Sequence, residues 1–182
     1  MMNVIMRNGA VFNDDRTKRF LLWRSRPEGE GIITFIMLNP STADENKNDP
    51  SVLRCWTRAQ KMGFRVMFVC NLFSIRSTDP KGIVPDEGDD YHENFSTIIR
   101  AVRRSNMIVC AWGNHGSINS FAHQLLGNLR LFKSPVFVFG MTKENQPKHP
   151  LYIGYSVEPK PIDWKSLKLK SGGIIFNDYK ED

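Results

Sequence analysis

Four short apolar runs constrain this chain more than any other feature: residues 32–38 (IITFIML), 66–70 (VMFVC), 107–112 (MIVCAW) and 136–139 (VFVF). Each is too short for a helix, and none shows the polar alternation of a half-exposed strand. Runs of this kind suit strands buried on both faces, as in parallel sheets. Between them lie segments with helical spacing. Asp49 is placed to cap a helix, Pro50 to occupy its first position and Gly63 to end it, with Val52, Cys55, Trp56, Ala59 and Met62 on one side. Phe95, Ile98, Ile99 and Val102 mark a second helix, and Ile118, Phe121, Ala122, Leu125, Leu126 and Leu129 a third. Strand and helix alternate, so the expected fold is α/β: a three-layer α/β/α sandwich around a central, mostly parallel four-stranded sheet.

The flanks read differently. Val4 to Met6 and Val11-Phe12 flank Asn8-Gly9, and the apolar residues 20–23 follow a polar stretch, which predicts an N-terminal β-hairpin. Beyond residue 155, Pro159 and Pro161 deny the chain a long helix, and an edge strand is expected at 174–176. No repeat or linker divides the chain. It is read as one domain over 1–182, with the hairpin in 1–26, the core in 31–155 and an irregular extension in 156–182.

No apolar run reaches the length of a membrane span, and the first seven residues lack the pattern of a signal peptide, so a cytoplasmic protein without a membrane partner is expected. The formal charge of +6 points to nucleic acid or a nucleotide as partner. Cys55, Cys70 and Cys110 are odd in number, lack CxxC spacing and sit in apolar segments, as buried reduced thiols do. His92, His115 and His123 share no ligand spacing. Neither a metal nor a cofactor is expected.

The polar residues have a positional logic. Asn39, Asn71, Gly113 and His149 each fall just past the end of an expected strand, where open α/β sheets form their ligand crevice. Their chemistry suits a flat heterocycle. An Asn amide matches the donor–acceptor edge of a base, Phe73, Trp112 and Tyr152 offer stacking faces, and Ser41 and Thr42 stand near a helix N-terminus that receives phosphate. No GxSxG, Walker or GxGxxG motif occurs at these strand ends. Structural roles compete at each position: an Asx-turn at Asn39, a strand cap at Asn71, core packing at Trp112, simple exposure at His149.

Five ordered motifs, FIMLNPSTAD, DPSVLRC, NLFSIRSTDP, AWGNHG and KHPLYIG, make residues 19–155 resemble a phage and bacterial family known only as a domain of unknown function. More distantly, the order of motifs is similar to the uracil-DNA glycosylase superfamily. Asn39-Pro40 resembles its water-positioning element, Asn71 its base-reading Asn, Trp112-Gly113 a strand ending in Trp-Gly, and His149-Pro150 its electrophilic-His loop. Leu38 and the tail Leu151-Tyr152-Ile153-Gly154 depart from that pattern. The resemblance implies an N-glycosylase acting on uracil or a modified base. His149 would stabilise the leaving base, Asn39 would orient water and Asp44 would supply basicity. Asn71, Phe73, Trp112 and Gly113 would form the base pocket, and Ser41, Thr42 and Arg76 would grip phosphate. Two other readings stand beside it: a non-catalytic binder of a nucleotide or modified base, and a phage protein–protein interaction module.

Overall fold

A computed structural model of the protein describes residues 7–79, 83–118, 121–132 and 135–165. Along the chain run β1 (Gly9–Phe12), β2 (Arg19–Ser25), β3 (Glu30–Met37), α1 (Pro50–Lys61), β4 (Phe64–Asn71), α2 (Gly88–Arg103), β5 (Met107–Cys110), α3 (Phe121–Leu129), β6 (Val136–Val138) and β7 (Lys160–Pro161). Short 3-10 turns lie at Asn114–Ile118 and Pro150–Tyr152. No described helix is long and apolar enough to cross a membrane.

The architecture is mixed α/β, built on one seven-stranded sheet of order β1-β2-β4-β3-β5-β6-β7. The four expected strands run parallel to one another in the order β4-β3-β5-β6. The expectation of a four-stranded, mostly parallel sheet with a separate hairpin is corrected at both edges. β2 pairs antiparallel with β4, so the hairpin extends the same sheet, and β7 pairs antiparallel with β6. The physical reason is edge satisfaction: β4 and β6 would otherwise present unpaired backbone groups. The edge strand expected at 174–176 lies outside the described residues.

The hairpin also turns elsewhere than at Asn8-Gly9. Its reversal is the polar stretch between Asn13 and Lys18: Asn13 Oδ1 accepts from the Lys18 amide, Asp15 Oδ1 from the Thr17 amide, and Arg16 adopts φ 59°. Gly9 serves packing instead, because a Cβ there would fall inside the Trp23 ring. Residues 4–6 lie outside the described part.

Alternation along β3 shows how the faces divide. Ile33, Phe35 and Met37 pack with Val52, Cys55 and Ala59 of α1, whereas Ile36 packs with Ile98 and Val102 of α2 and Leu125 of α3. Helices therefore cover both faces, and β3 contributes fully buried side chains to each. The α1 cap forms as its sequence demands: Asp49 Oδ1 accepts from Val52 N at 2.8 Å, Pro50 opens the helix, and Gly63 follows at φ +83°. Cys55, Cys70 and Cys110 are free and buried, and burial pushes the Cys70 thiol up to about 12.

Candidate functional site

Parallel strands deliver their C-terminal ends to one side of the sheet, where backbone groups and helix N-termini meet. A cleft of about 640 Å³ opens there. Leu38, Asn39 and Ser41 line it after β3, and Trp112, Gly113, Asn114 and His115 after β5. The segment after β6 contributes Thr142, Lys148, His149 and Tyr152, and the start of α1 contributes Asp49, Pro50 and Ser51. Ser77 and Thr78 close one wall.

Two side chains in this lining have their hydrogen-bonding polarity set by the protein. Asn39 gives its amide hydrogens to the carbonyls of Pro40 (2.9 Å) and Ser77 (2.8 Å). Two carbonyl partners fix which end of the amide is nitrogen, so Asn39 can offer a ligand only its Oδ1, an acceptor. His149 does the reverse. Its Nδ1 accepts from the Leu151 amide at 3.2 Å as it caps the turn at Pro150–Tyr152, which places the ring hydrogen on Nε2. Burial pushes the His149 imidazole down to about 4, against a smaller upward pull from Asp49. At neutral pH it is an uncharged N–H donor.

Asp49 is the other titratable group deep in the cleft, 6% exposed. Its Oδ1 is spent on the helix cap, and its Oδ2 has no hydrogen-bond partner among the described residues. Tyr152 stands at the opposite extreme, 85% exposed, its ring centroid 6.0 Å from that of His149. Lys148 is also exposed on the rim.

Buried arginines hold the walls. Arg58, at the position where the apolar stripe of α1 should continue, donates to the carbonyls of Ile153, Gly154 and Val157, and Arg54 donates to those of Pro150 and Ile153. The loop after His149 is thereby fastened to α1. On the far side Arg24 donates to the carbonyls of Asp44 and Lys47, and Arg19 to that of Ala43. Arg19, Arg24 and Arg58 are buried, so part of the positive charge acts inside the fold rather than as a surface for polyanions.

Asn39, Ser41, Trp112, Gly113, His149 and Tyr152 thus share one cavity, while Asn71, Phe73, Asp44, Thr42 and Arg76 lie outside its lining. Asn71 is 1% exposed, its Oδ1 accepts from Arg19, and its Nδ2 is a buried donor with no partner. Phe73 joins the core on the α2 side. Their displacement has a clear cause: the chain after β4 stays hydrogen-bonded beside β3, Leu72 N to Met37 O and Phe73 N to Leu38 O, and so remains inside. Asp44 uses Oδ1 to accept from the Asn46 and Lys47 amides, which hold its carboxyl below the usual range and make it a poor base. Thr42 is exposed outside the cleft lining. Arg76 donates to the carbonyls of Ser41 and Arg16 and lies over the Phe12 ring. Trp112 is core, 1% exposed, its Nε1 bonded to Gln146 Oε1 at 2.9 Å, and reaches the cleft only as part of its wall. Gly113, at φ +74°, brings its backbone close to the His149 Cβ.

Sequence reading passed over Asp49 as more than a cap, and over Lys148, Ser77 and Arg58. Arg58 carried a visible signal, a charge inside a helical apolar stripe.

Fold and site together are those of a mixed α/β protein with a cleft at the carboxyl edge of its parallel strands. The chain belongs to the family described as "Protein of unknown function (DUF1643)", whose model matches residues 19–151. That span runs from the buried Arg19 to Leu151, two residues past His149. No curated protein and no solved structure matches the chain.

Proposed function

We propose that the cleft recognises a nucleobase, free or within a nucleotide, and that Asn39 and His149 read its edge. The observation that carries this reading is the opposite polarity of the two groups in one cavity: Asn39 presents oxygen only, and His149 presents N–H only. A pyrimidine such as uracil carries a ring N–H beside carbonyl oxygens and so answers both. Tyr152 supplies the accessible ring face, and stacking a base on an aromatic side chain is worth roughly 1–3 kcal/mol. Lys148 on the rim is the group suited to a phosphate. The start of α1 is not, since the Asp49 carboxylate already occupies it.

A further reading, hydrolysis of the N-glycosidic bond, is favoured by the neutral state of His149. An uncharged, partly buried N–H donor suits a base leaving with negative charge on its oxygen. The resemblance to the uracil-DNA glycosylase superfamily supports it through Asn39-Pro40, Trp112-Gly113 and His149-Pro150. The base-reading role that the resemblance implied for Asn71, and the stacking role expected of Phe73, pass to Asn39 and Tyr152.

Thermal-shift screening with bases, nucleosides and nucleotides tests recognition. A ligand at 100 times its Kd stabilises by about 2.7 kcal/mol, and the shift should vanish in Asn39→Ala and His149→Asn. No shift with any member of the panel refutes the reading.

A further inference from the structure

We infer that the cleft takes a ribonucleoside or its 5′-monophosphate, with Asp49 and Ser51 holding the vicinal hydroxyls of the sugar. The inference rests on the nucleobase reading and names the sugar that accompanies the base.

Size sets the starting point. A cleft of about 640 Å³ is far larger than one pyrimidine ring and falls in the range of small-molecule sites. Asn39 and His149 serve one edge of a ring, so most of the lining meets another part of the ligand. Charge narrows what that part is. Asp49 supplies the lining with its carboxylate and Lys148 with its ammonium, and among the described residues no arginine lines the cleft. Arg19, Arg24 and Arg58 are spent inside the fold on backbone carbonyls and side-chain amides. One cation against one anion is a poor seat for a run of phosphates, each of which needs a cationic partner. It suits a neutral sugar carrying at most one phosphate, placed at Lys148 on the rim.

The groups around Asp49 fit that sugar. Its Oδ1 caps α1, while Oδ2 has no hydrogen-bond partner among the described residues and belongs to a side chain 6% exposed in the cleft wall. Arg19 and Arg24, both outside the lining, lie in the field of this carboxylate and balance its charge without bonding to it. Ser41 and Ser51 line the cleft as well, and neither hydroxyl is bonded to a described residue. The carboxylate turns the start of α1 from a seat for anions into one for hydroxyls. A vicinal diol gives its hydrogens to a carboxylate, and a serine hydroxyl beside it either donates or accepts. Acidic side chains hold ribose in this way in dinucleotide-binding folds. The base site is close at hand, since the His149 imidazole feels the Asp49 charge. A base on His149 therefore brings its sugar within reach of the start of α1.

Calorimetric titration compares uridine, cytidine, adenosine and guanosine 5′-monophosphates with their 2′-deoxy counterparts and with the free bases. A hydrogen bond to a charged group makes a difference of roughly 10–100-fold in Kd. The best ribonucleotide should therefore bind at least about tenfold more tightly than its deoxy form. Asp49→Asn and Asp49→Ser both keep a cap for α1. In each, the preference should fall to within about threefold while affinity for the deoxy form changes little. The wild-type comparison needs neither variant. A wild type that binds the deoxy form as tightly as the ribonucleotide overturns the inference and leaves base recognition intact. Binding of free bases without any nucleotide does the same, as does a ribose preference that survives both substitutions. No binding by any member of the panel removes recognition and inference together.

Discussion

The pH dependence that His149 imposes on stability can be worked out in advance. Burial holds its imidazole at about 4 in the folded protein, against an ordinary value near 6.5. In the unfolded chain the ring protonates first as pH falls, so the folded state loses ground through that window and regains none below it. The sign is that of any depressed group: stability is fully present above about 6.5 and drains away towards about 4. Each pH unit between the two values is worth about 1.4 kcal/mol, so about 2 kcal/mol has gone by pH 5 and about 3 kcal/mol near pH 4. His149→Asn is the matched control, because the Asn oxygen can still accept from Leu151 N while nothing titrates. Urea unfolding of both proteins between pH 7.5 and 4.5 isolates the term, since all other carboxylates and histidines cancel in the difference. Wild-type stability should fall relative to the variant by about 2 kcal/mol by pH 5. A difference that stays flat across the range refutes the neutral, desolvated imidazole, and with it the donor role.

Other outcomes follow from individual contacts. Asp49→Asn should lower the His149 titration point further, because the Asp49 charge is what pulls it upward; an NMR titration that moves the other way contradicts that coupling. Arg58→Met should release the carbonyls of Ile153, Gly154 and Val157, costing about 2–4 kcal/mol and speeding amide exchange across 150–157; unchanged exchange there would count against a tether. Asn39→Asp should be worse than Asn39→Ala by about 1–3 kcal/mol, since it points a carboxylate at the Pro40 and Ser77 carbonyls; calorimetric unfolding of the two variants decides. Gly116→Ala should displace the Trp112 ring, break its bond to Gln146 and cost about 1–3 kcal/mol, read as a shift in tryptophan fluorescence and a lower Tm.

The core strands and helices were legible because the apolar runs at 32–38 and 66–70 and the stripe Val52, Cys55, Ala59 are local statements of burial. Pairing at the sheet edges was not, because β2 meeting β4 is a tertiary event with no sequence signature. Asn8-Gly9 misled for a related reason: Gly9 is small to make room for Trp23, a residue fourteen positions away. At the site, Asn39 and His149 could be placed from strand ends alone. Asn71 could not be told apart from them, since only the two further hydrogen bonds beside β3 carry the chain after β4 back inside. Asp49 looked like a cap and is one; its second oxygen and its depth in the cleft emerge only when the loops after β3 and β6 come together around it.

The account turns on one donor and one acceptor meeting the same ring, and side-chain NMR of labelled protein observes both at once. On titration with uracil and the other pyrimidine bases, at least one base should shift the Nε2 resonance of His149 and the side-chain amide of Asn39 along the same saturation curve, with Nδ1 of His149 still hydrogen-bonded to the backbone. Saturable binding that perturbs surface residues while leaving both of those signals in place would contradict it.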